Sequence, residues 1–140
     1  MIQGFKFALV LFAGLLPPLP VVAAGQANCF YSYKADIVRI VDGDTVVANI
    51  DLGFEVWRHN EHLRLFGIDT PERGDTGYTE ANDALAELIE GQRVLICTVK
   101  AKRSEVEAKG SFGRYLATIW IGDLNVNQWL LENGFAAVYK

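Results

Sequence analysis

The stretch LRLFGIDTPERGD, residues 63–75, joins a short apolar run to two carboxylates that flank a proline. The run has the composition of a buried β-strand, and Asp69 and Glu72 stand at its end. Charged groups in such a place cost free energy unless another group compensates their charge. The earlier stretch IVDGDTVV, residues 40–47, has the same character, because it sets Asp44 beside apolar, β-branched residues. What compensates these carboxylates is the question that links fold to function.

The rest of the sequence predicts a mainly β protein with two helices. Apolar residues alternate along 45–52, which is the period of a half-buried strand, and the other strand segments are short and rich in β-branched residues. The five predicted strands are 36–41, 45–52, 63–68, 93–99 and 114–121. With helices after the third and fifth strands, this order indicates an α+β, mainly β fold: a five-stranded OB-fold barrel with a helix between strands 3 and 4 and a short C-terminal helix. A small α+β sheet that does not close is the alternative.

The helices and one polar segment can be placed more closely. In residues 79–91 the apolar positions follow the i, i+3, i+4, i+7 spacing of a helix with one buried face. Thr79 can cap its start and Gly91 its end. Residues 126–133 form the shorter C-terminal helix, and the polar segment 53–62 is predicted to be the solvated tip of a hairpin.

The first 27 residues have the pattern of a secretory signal peptide. Lys6 precedes the apolar run 7–16, and small residues at 22–27 suit a cleavage site. A membrane anchor is the alternative, but this run is too short to span a bilayer and prolines follow it. We expect residues 1–27 to be removed, residues 28–140 to form a single OB-fold domain without a membrane span, and the protein to be secreted or periplasmic.

Composition excludes a disordered chain and disfavours a passive nucleic-acid binder. Of 140 residues, 51% are hydrophobic and 21% are charged, which is the balance of a globular protein. Without the segment that contains Lys6, 12 basic residues remain against 17 acidic ones, for a net charge of −5. Proteins that bind nucleic acid by bulk charge are usually basic. An enzyme that uses a divalent cation and a few local arginines remains compatible with this charge.

Two cysteines remain in the predicted mature chain, Cys29 and Cys97. Disulfides persist where exported proteins are found, so a bridge between the two would tie the N-terminus to an inner strand. Two separate thiols, with Cys97 as a small buried residue, fit the sequence equally well. The sequence leaves both possibilities open, because it does not supply the geometry that a bridge requires.

Asp44 and Asp69 each lie at the end of a strand or turn, and a β-meander brings such ends together. Two carboxylates at one place repel, so one must be protonated or a cation must lie between them. In an exported protein the available hard cation is calcium, which takes oxygen ligands from carboxylates, carbonyls and water. Pro71 keeps Thr70 extended and lacks an N–H, which frees the Thr70 carbonyl for the same cation. We therefore predict Asp44, Asp69 and Thr70 as Ca²⁺ ligands, with positions open for water and substrate.

Two arginines and a glutamate complete a set for phosphodiester hydrolysis. Arg64 lies on the third strand, before Asp69, and Arg114 opens the fifth strand. The planar, permanently charged guanidinium suits a phosphate that gains charge in a transition state. Glu72 could accept a proton from an attacking water, or orient it. Taken singly, these residues are better explained as turns, caps or surface ion pairs; it is the combination that predicts catalysis by Arg64, Glu72 and Arg114.

The motifs VDGDT, LRLFGIDTPE and FGR, in this order and with a helix between the last two, resemble the staphylococcal nuclease (thermonuclease) family. The similarity extends over about residues 33–139, and NVNQWLLENGFA resembles the family's second helix. It implies an OB barrel and calcium-dependent hydrolysis of DNA and RNA. It also implies roles for the six residues already singled out: cation binding by Asp44, Asp69 and the Thr70 carbonyl, and catalysis by Arg64, Glu72 and Arg114.

Three features depart from that family. Ser111 and Phe112 replace the Lys-Tyr pair that often precedes Gly-Arg, so a phosphate-contacting amine and a hydroxyl are absent. The segment between Asp44 and Arg64 is several residues longer. The chain is acidic where the typical secreted member is basic. We expect weaker, more cation-dependent substrate binding without loss of the chemistry.

Two further groups of polar residues are predicted to be solvated. His59 and His62 are too few for a zinc site, which needs a third ligand within reach. The basic residues of segment 100–113 are diluted by acidic neighbours, so this segment is either a solvated loop or a guide for nucleic-acid backbone.

The sequence thus predicts a monomeric hydrolase, an endonuclease acting on DNA, RNA or both. The alternative is an exported, non-catalytic OB-fold module that binds nucleic acid or calcium, and a third interpretation makes the acidic cluster a structural calcium site. The intact set of Arg64, Glu72 and Arg114 favours the enzyme.

Overall fold

Five strands of the chain close into a barrel in the computed structural model, which describes residues 28–140. The predicted signal peptide, residues 1–27, lies outside the described residues. The helices are α1 (Tyr78–Ile89) and α2 (Val126–Glu132), and a 3₁₀ turn covers Ser111–Gly113. The strands are β1 (Ser32–Asp42), β2 (Thr45–Asp51), β3 (Trp57–Leu65), β4 (Ile68–Asp69), β5 (Arg93–Thr98), β6 (Tyr115–Ile121), β7 (Leu124–Asn125) and β8 (Ala137–Val138).

The order of the strands is that of an OB-fold barrel. β1 lies between β2 and β5 and pairs with both in antiparallel register, while β3 pairs with β2 and β6 pairs with β5. β3 and β6 then pair in parallel, from Leu63 opposite Tyr115 to Leu65 opposite Ala117, which closes the sheet on itself. The prediction of a five-stranded barrel with two helices is confirmed, and the alternative of an open sheet is wrong.

β1 is long and irregular because it borders two neighbours that diverge. Its register with β2 shifts between Ile37 and Arg39 and again between Ile40 and Asp42. Such bulges bend a strand and increase its twist. The bend lets the first half of β1 pair with β5. The second half leads into the turn at Gly43, and β2 follows this turn.

The barrel interior is filled by aliphatic side chains that alternate along the strands. Fully buried residues come from every barrel strand, among them Ile37, Val46, Leu63, Ile96 and Ile119. The helices complete this core with Leu85 and Ile89 of α1 and with Val126 and Leu130 of α2. None of the helices among residues 28–140 has the length and apolar character needed to cross a membrane.

Two local predictions were wrong. Segment 53–62 is not a solvated tip throughout, because β3 begins at Trp57 and pairs with β2; only residues 53–56 form the tip. The side chains at 58–62 are polar and largely exposed, so backbone pairing and not side-chain burial makes this segment a strand. Helix α1 is not capped by Thr79: Gly77, with φ of 91°, precedes its first residue. At the other end Gly91 adopts a positive φ of 71°, as predicted.

Asn127, a residue that the sequence does not single out, ties α2 to the closure of the barrel. Its side chain is buried, and its Oδ1 accepts from the Ile119 N–H at 3.0 Å. Its Nδ2 donates to the carbonyls of Phe66 at 3.0 Å and Ala117 at 3.2 Å. One amide therefore fixes a helix, strand β6 and the turn that follows β3.

Cys29 and Cys97 form a disulfide, with their Cα atoms 5.0 Å apart. The bridge joins the start of the described chain to β5, next to the pairing of Ser32 with Cys97. Of the two possibilities that the sequence left open, the structure has the bridge.

We expect the disulfide to stabilise the fold by about 4 kcal/mol, because it closes a loop of 68 residues in the unfolded chain. The oxidised and reduced proteins should differ by this amount in urea unfolding. The double variant Cys29→Ala, Cys97→Ala serves as control, since reductant should leave its unfolding curve unchanged. Equal stability of oxidised and reduced wild-type protein would contradict the expectation.

Asn127→Ala should lower the free energy of unfolding by about 2 kcal/mol, because it strips the Ile119 N–H and the Phe66 carbonyl of their partner. The neighbouring variant Gln128→Ala, at an exposed position of the same helix, should change it by less than about 0.5 kcal/mol. Chemical denaturation of both variants tests this. Similar losses in the two variants would show that the buried amide has no special role.

Candidate active site

The turn between β1 and β2 holds Asp44 in a fixed position. Its side chain is only 7% exposed, and its Oδ1 accepts from the Thr45 hydroxyl at 3.0 Å. Its Oδ2 accepts from the Thr70 N–H at 3.3 Å, and its backbone carbonyl accepts from the Leu65 N–H at 2.8 Å. Asp44 thus connects the turn to β3 and to the segment that follows β4.

Gly43 allows this turn to approach its surroundings closely. A Cβ atom at this position would lie 2.9 Å from the Cβ of Ala81 in α1 and 3.0 Å from the Thr70 hydroxyl oxygen. The first distance is shorter than real Cβ contacts, and the second is tighter than most of them. The glycine of VDGDT is therefore required by packing, because α1 and Thr70 lie directly against the turn.

Asp69 and Thr70 follow β3 after a tight turn at Phe66 and Gly67. Asp69 pairs with Ala137 of β8 through the backbone, and its side chain is exposed. Thr70 is buried, and within residues 28–140 its carbonyl accepts no hydrogen bond from the backbone. The structure therefore presents a carboxylate and an uncommitted carbonyl oxygen on consecutive residues.

Arg64 lies between the two aspartates. Its Nη1 is 3.0 Å from the Asp44 Oδ2, and its Nη2 is 2.9 Å from the Asp69 Oδ1. Nη1 also donates to the Ile68 carbonyl at 3.0 Å, and the Tyr139 ring lies 5.5 Å from the guanidinium carbon. The side chain is largely buried. One guanidinium thus compensates the two carboxylates whose proximity the sequence predicted, and a further cation would share them with it.

Arg114 approaches the same place from the segment before β6. Its Nη1 donates to the Thr45 hydroxyl at 3.1 Å, and its Nε donates to the Ser111 carbonyl at 3.1 Å. Phe112 next to it is 96% exposed and adopts a positive φ of 60°, with its ring 5.5 Å from the Arg114 guanidinium carbon. The position where the family often has tyrosine therefore presents an apolar ring at the edge of the site.

Glu72 is exposed and forms no side-chain hydrogen bond or ion pair with the rest of the described chain. Its backbone carbonyl accepts from the Asp75 N–H at 2.9 Å, which fixes the turn after Pro71. The carboxylate is thereby positioned by its backbone and left free for an outside partner.

All six residues singled out in the sequence line one open cavity of about 580 Å³. They come from four separate segments of the chain, and Asp42, Phe112 and Tyr139 also line it. Thr45 is the contact that sequence reasoning missed, since its hydroxyl connects Asp44 to Arg114. The only signal for it was its place at the end of the motif VDGDT.

The oxygen donors at this cavity suit a hard cation. Asp44, Asp69 and the free Thr70 carbonyl are the ligand types that Ca²⁺ prefers. In the described part of the chain no group of three or more His, Cys, Asp or Glu residues could hold a metal by itself, so a cation here would complete its coordination with water or substrate. His59 and His62 are exposed on β3, as predicted.

Comparison with known proteins shows which family the chain belongs to. The sequence model of the family described as Staphylococcal nuclease homologue matches residues 62–140. The thermonuclease of Staphylococcus hyicus is 29% identical over 124 residues, 84% of this chain and 65% of that protein. The thermonuclease of Staphylococcus intermedius is 30% identical over 106 residues, which are 71% of this chain and 56% of that protein. The micrococcal nuclease of Shigella flexneri is 26% identical over 129 residues, which are 86% of this chain and 66% of that protein.

The chain therefore spans between 56% and 66% of the length of these three relatives. The segment matched by the family model is more than half of the chain. It contains Arg64, Asp69, Glu72 and Arg114, and it includes the parallel pairing of β3 and β6 that closes the barrel. The match to the family model, together with the barrel and the cavity, shows that this chain belongs to the staphylococcal nuclease family.

Proposed function

We propose that this protein is a calcium-dependent endonuclease that hydrolyses phosphodiester bonds of DNA, RNA or both. The observation that carries the proposal is the single cavity in which two carboxylates, a free carbonyl, two arginines and an unpaired glutamate face one another. The relatives named thermonuclease and micrococcal nuclease support nuclease activity in general.

Asp44, Asp69 and the Thr70 carbonyl would hold the calcium ion. When bound, the ion would act as a Lewis acid that draws charge from a phosphate oxygen. Thr45, Leu65 and Thr70 each hydrogen-bond to Asp44 in addition to its pairing with Arg64. The site therefore needs little rearrangement to receive a cation. Asp69, which is exposed, is free to adjust its side chain.

Arg64 and Arg114 would bind the phosphate and stabilise the charge that it gains in the transition state. Arg114 keeps Nη2 free, because its other two nitrogens are held by Thr45 and Ser111. A guanidinium fixed in this way presents its remaining N–H groups without loss of side-chain entropy on binding. Arg64 would reach the same phosphate from the neighbouring strand β3.

Glu72 would take a proton from the attacking water or orient it. Glu72 lines the cavity and its carboxylate has no partner in the described chain, so it is available to a water molecule there. All six groups come from one chain, so we propose a monomer. The disulfide supports a secreted or periplasmic location, where such bonds persist.

We expect the protein to cleave single-stranded and double-stranded nucleic acid in calcium and to lose this activity in chelator. Glu72→Gln should lower the rate by about 10²–10⁴-fold, the contribution typical of general acid–base catalysis. Glu80→Gln, at an exposed position in the first turn of α1, is the matched control and should retain the wild-type rate. Initial rates on a labelled oligonucleotide measure this.

No cleavage at any calcium concentration would reject the enzyme and favour the non-catalytic OB-fold module. Cleavage that persists unchanged in Glu72→Gln would reject only the role given to this residue.

Asp69→Asn should weaken calcium binding by at least about tenfold, because it removes one of only two carboxylate ligands. Asp123→Asn, at an exposed turn far along the chain, should leave binding unchanged. Isothermal titration of calcium into each variant without substrate is the measurement. Equal affinity in the two variants would mean that calcium binds elsewhere, and the cation site proposed here would fail while the catalytic roles could still be tested.

A further inference from the structure

The barrel has a second cavity, of about 180 Å³, near the end of β2 opposite to Thr45. We call it the barrel mouth. Its floor consists of core side chains and its walls of two tyrosines and a glutamate: Ile50, Leu63, Ile96, Tyr33, Tyr115 and Glu107. An apolar floor under aromatic walls with a few converging polar groups is the usual construction of a small-molecule site.

Glu107 presents a fixed hydrogen-bond acceptor in this mouth. Its Oε1 accepts from the Tyr33 hydroxyl at 2.9 Å, and Oε2 has no hydrogen-bond partner in the described chain. Burial, with the hydrogen bond to Glu107, raises the pKa of Tyr33 to about 12, so its hydroxyl stays protonated and keeps donating. The backbone of Glu107 is held in turn by its bridge to Lys100.

Two cationic side chains, Arg58 and Lys109, lie close to the Tyr115 ring at the rim of the mouth. The Arg58 guanidinium carbon lies 5.6 Å from the centre of the Tyr115 ring, and the Lys109 ammonium lies 4.6 Å from it. Arg58 is paired with Glu61 at 2.8 Å, whereas Lys109 has no ion-pair partner among residues 28–140. The mouth thus combines an acceptor inside with positive charge at its edge.

We propose that the barrel mouth binds a single unpaired nucleobase that carries an exocyclic amino group, with the adjacent phosphate at Lys109 and Arg58. Flat bases stack on aromatic side chains, and a carboxylate accepts from the amino group of cytosine. A cavity of about 150 Å³ holds one benzene ring, so the mouth suits one small base and excludes a base pair. The proposal rests on the proposed function, which makes nucleic acid the natural ligand.

The two cavities lie on opposite faces of the closing strands, because successive side chains of a strand point to opposite sides of the sheet. Leu63 lines the mouth and Arg64 lines the active-site cavity; on the paired strand, Tyr115 and Leu116 divide in the same way. The mouth is therefore a site separate from the active-site cavity, and binding at the two places can be distinguished by which residues respond.

The test is an NMR titration of the full mature chain with cytidine and uridine 5′-monophosphate, neither of which has a phosphodiester bond to cleave. Cytidine monophosphate should shift the amide signals of Ile96, Thr98 and Glu107. Uridine monophosphate should bind there about tenfold more weakly, because a carbonyl replaces the amino group that hydrogen-bonds to Glu107. A short oligodeoxycytidylate, added to Glu72→Gln, shows whether a base within a strand also enters.

Glu107→Gln should remove most of the preference for cytidine. Glu105→Gln, in the same loop but paired with Lys100 outside the mouth, should keep it. Leu52→Trp fills the mouth from its exposed rim, where the core is not disturbed, and should abolish the shifts.

Shifts confined to Arg64 and its neighbours in the active-site cavity would overturn this inference and leave the nuclease proposal standing. A cytidine preference that survives in Glu107→Gln would overturn the role of the carboxylate. Because the titration requires no turnover, base-dependent shifts at the mouth would support the inference even if no cleavage were found.

Discussion

The parallel pairing of β3 with β6 is the constraint on which the rest of the molecule depends. Three residue pairs, from Leu63 with Tyr115 to Leu65 with Ala117, join segments about fifty positions apart and turn an open sheet into a barrel. The turn after β3 is fixed to the same place, since the Phe66 N–H donates to the Ala117 carbonyl at 2.8 Å. Both cavities border these pairs, so closure of the barrel and construction of the site are one event.

Charge balance explains how a polar cluster can be held against this closure. Arg64 is largely buried beside Asp44, whose buried carboxylate would be costly without a partner, and it also pairs with the exposed Asp69. Because the arginine pairs with both carboxylates and leaves only one net negative charge, the cluster is compatible with folding before any cation arrives. Under the proposed function, calcium and phosphate join groups that already hold one another in place. Arg114, anchored through Thr45, extends the same network to the segment before β6.

Much of this could be predicted from the sequence, and the failures have a common cause. Alternating or continuous apolar patterns located all five barrel strands, and helical periodicity located both helices. The polar residues at 58–62 gave no such signal, because that part of β3 is held by backbone pairing with β2 and most of its side chains are exposed. Asn127 and Thr45 were missed for a related reason: an amide or hydroxyl acquires its role only from distant backbone or charged groups.

The sequence by itself determined the identities of the chemical groups and the local shape around them: the acidic turn at Gly43, the proline that frees the Thr70 carbonyl, and the two arginines, one on β3 and one directly before β6. These follow from residue type and near neighbours. Only the tertiary structure decided that Cys29 bonds to Cys97, that Arg64 lies between two aspartates, and that a second cavity opens on the other face of the closing strands. Each of these depends on distances between segments far apart in the chain, which barrel closure sets and local sequence does not.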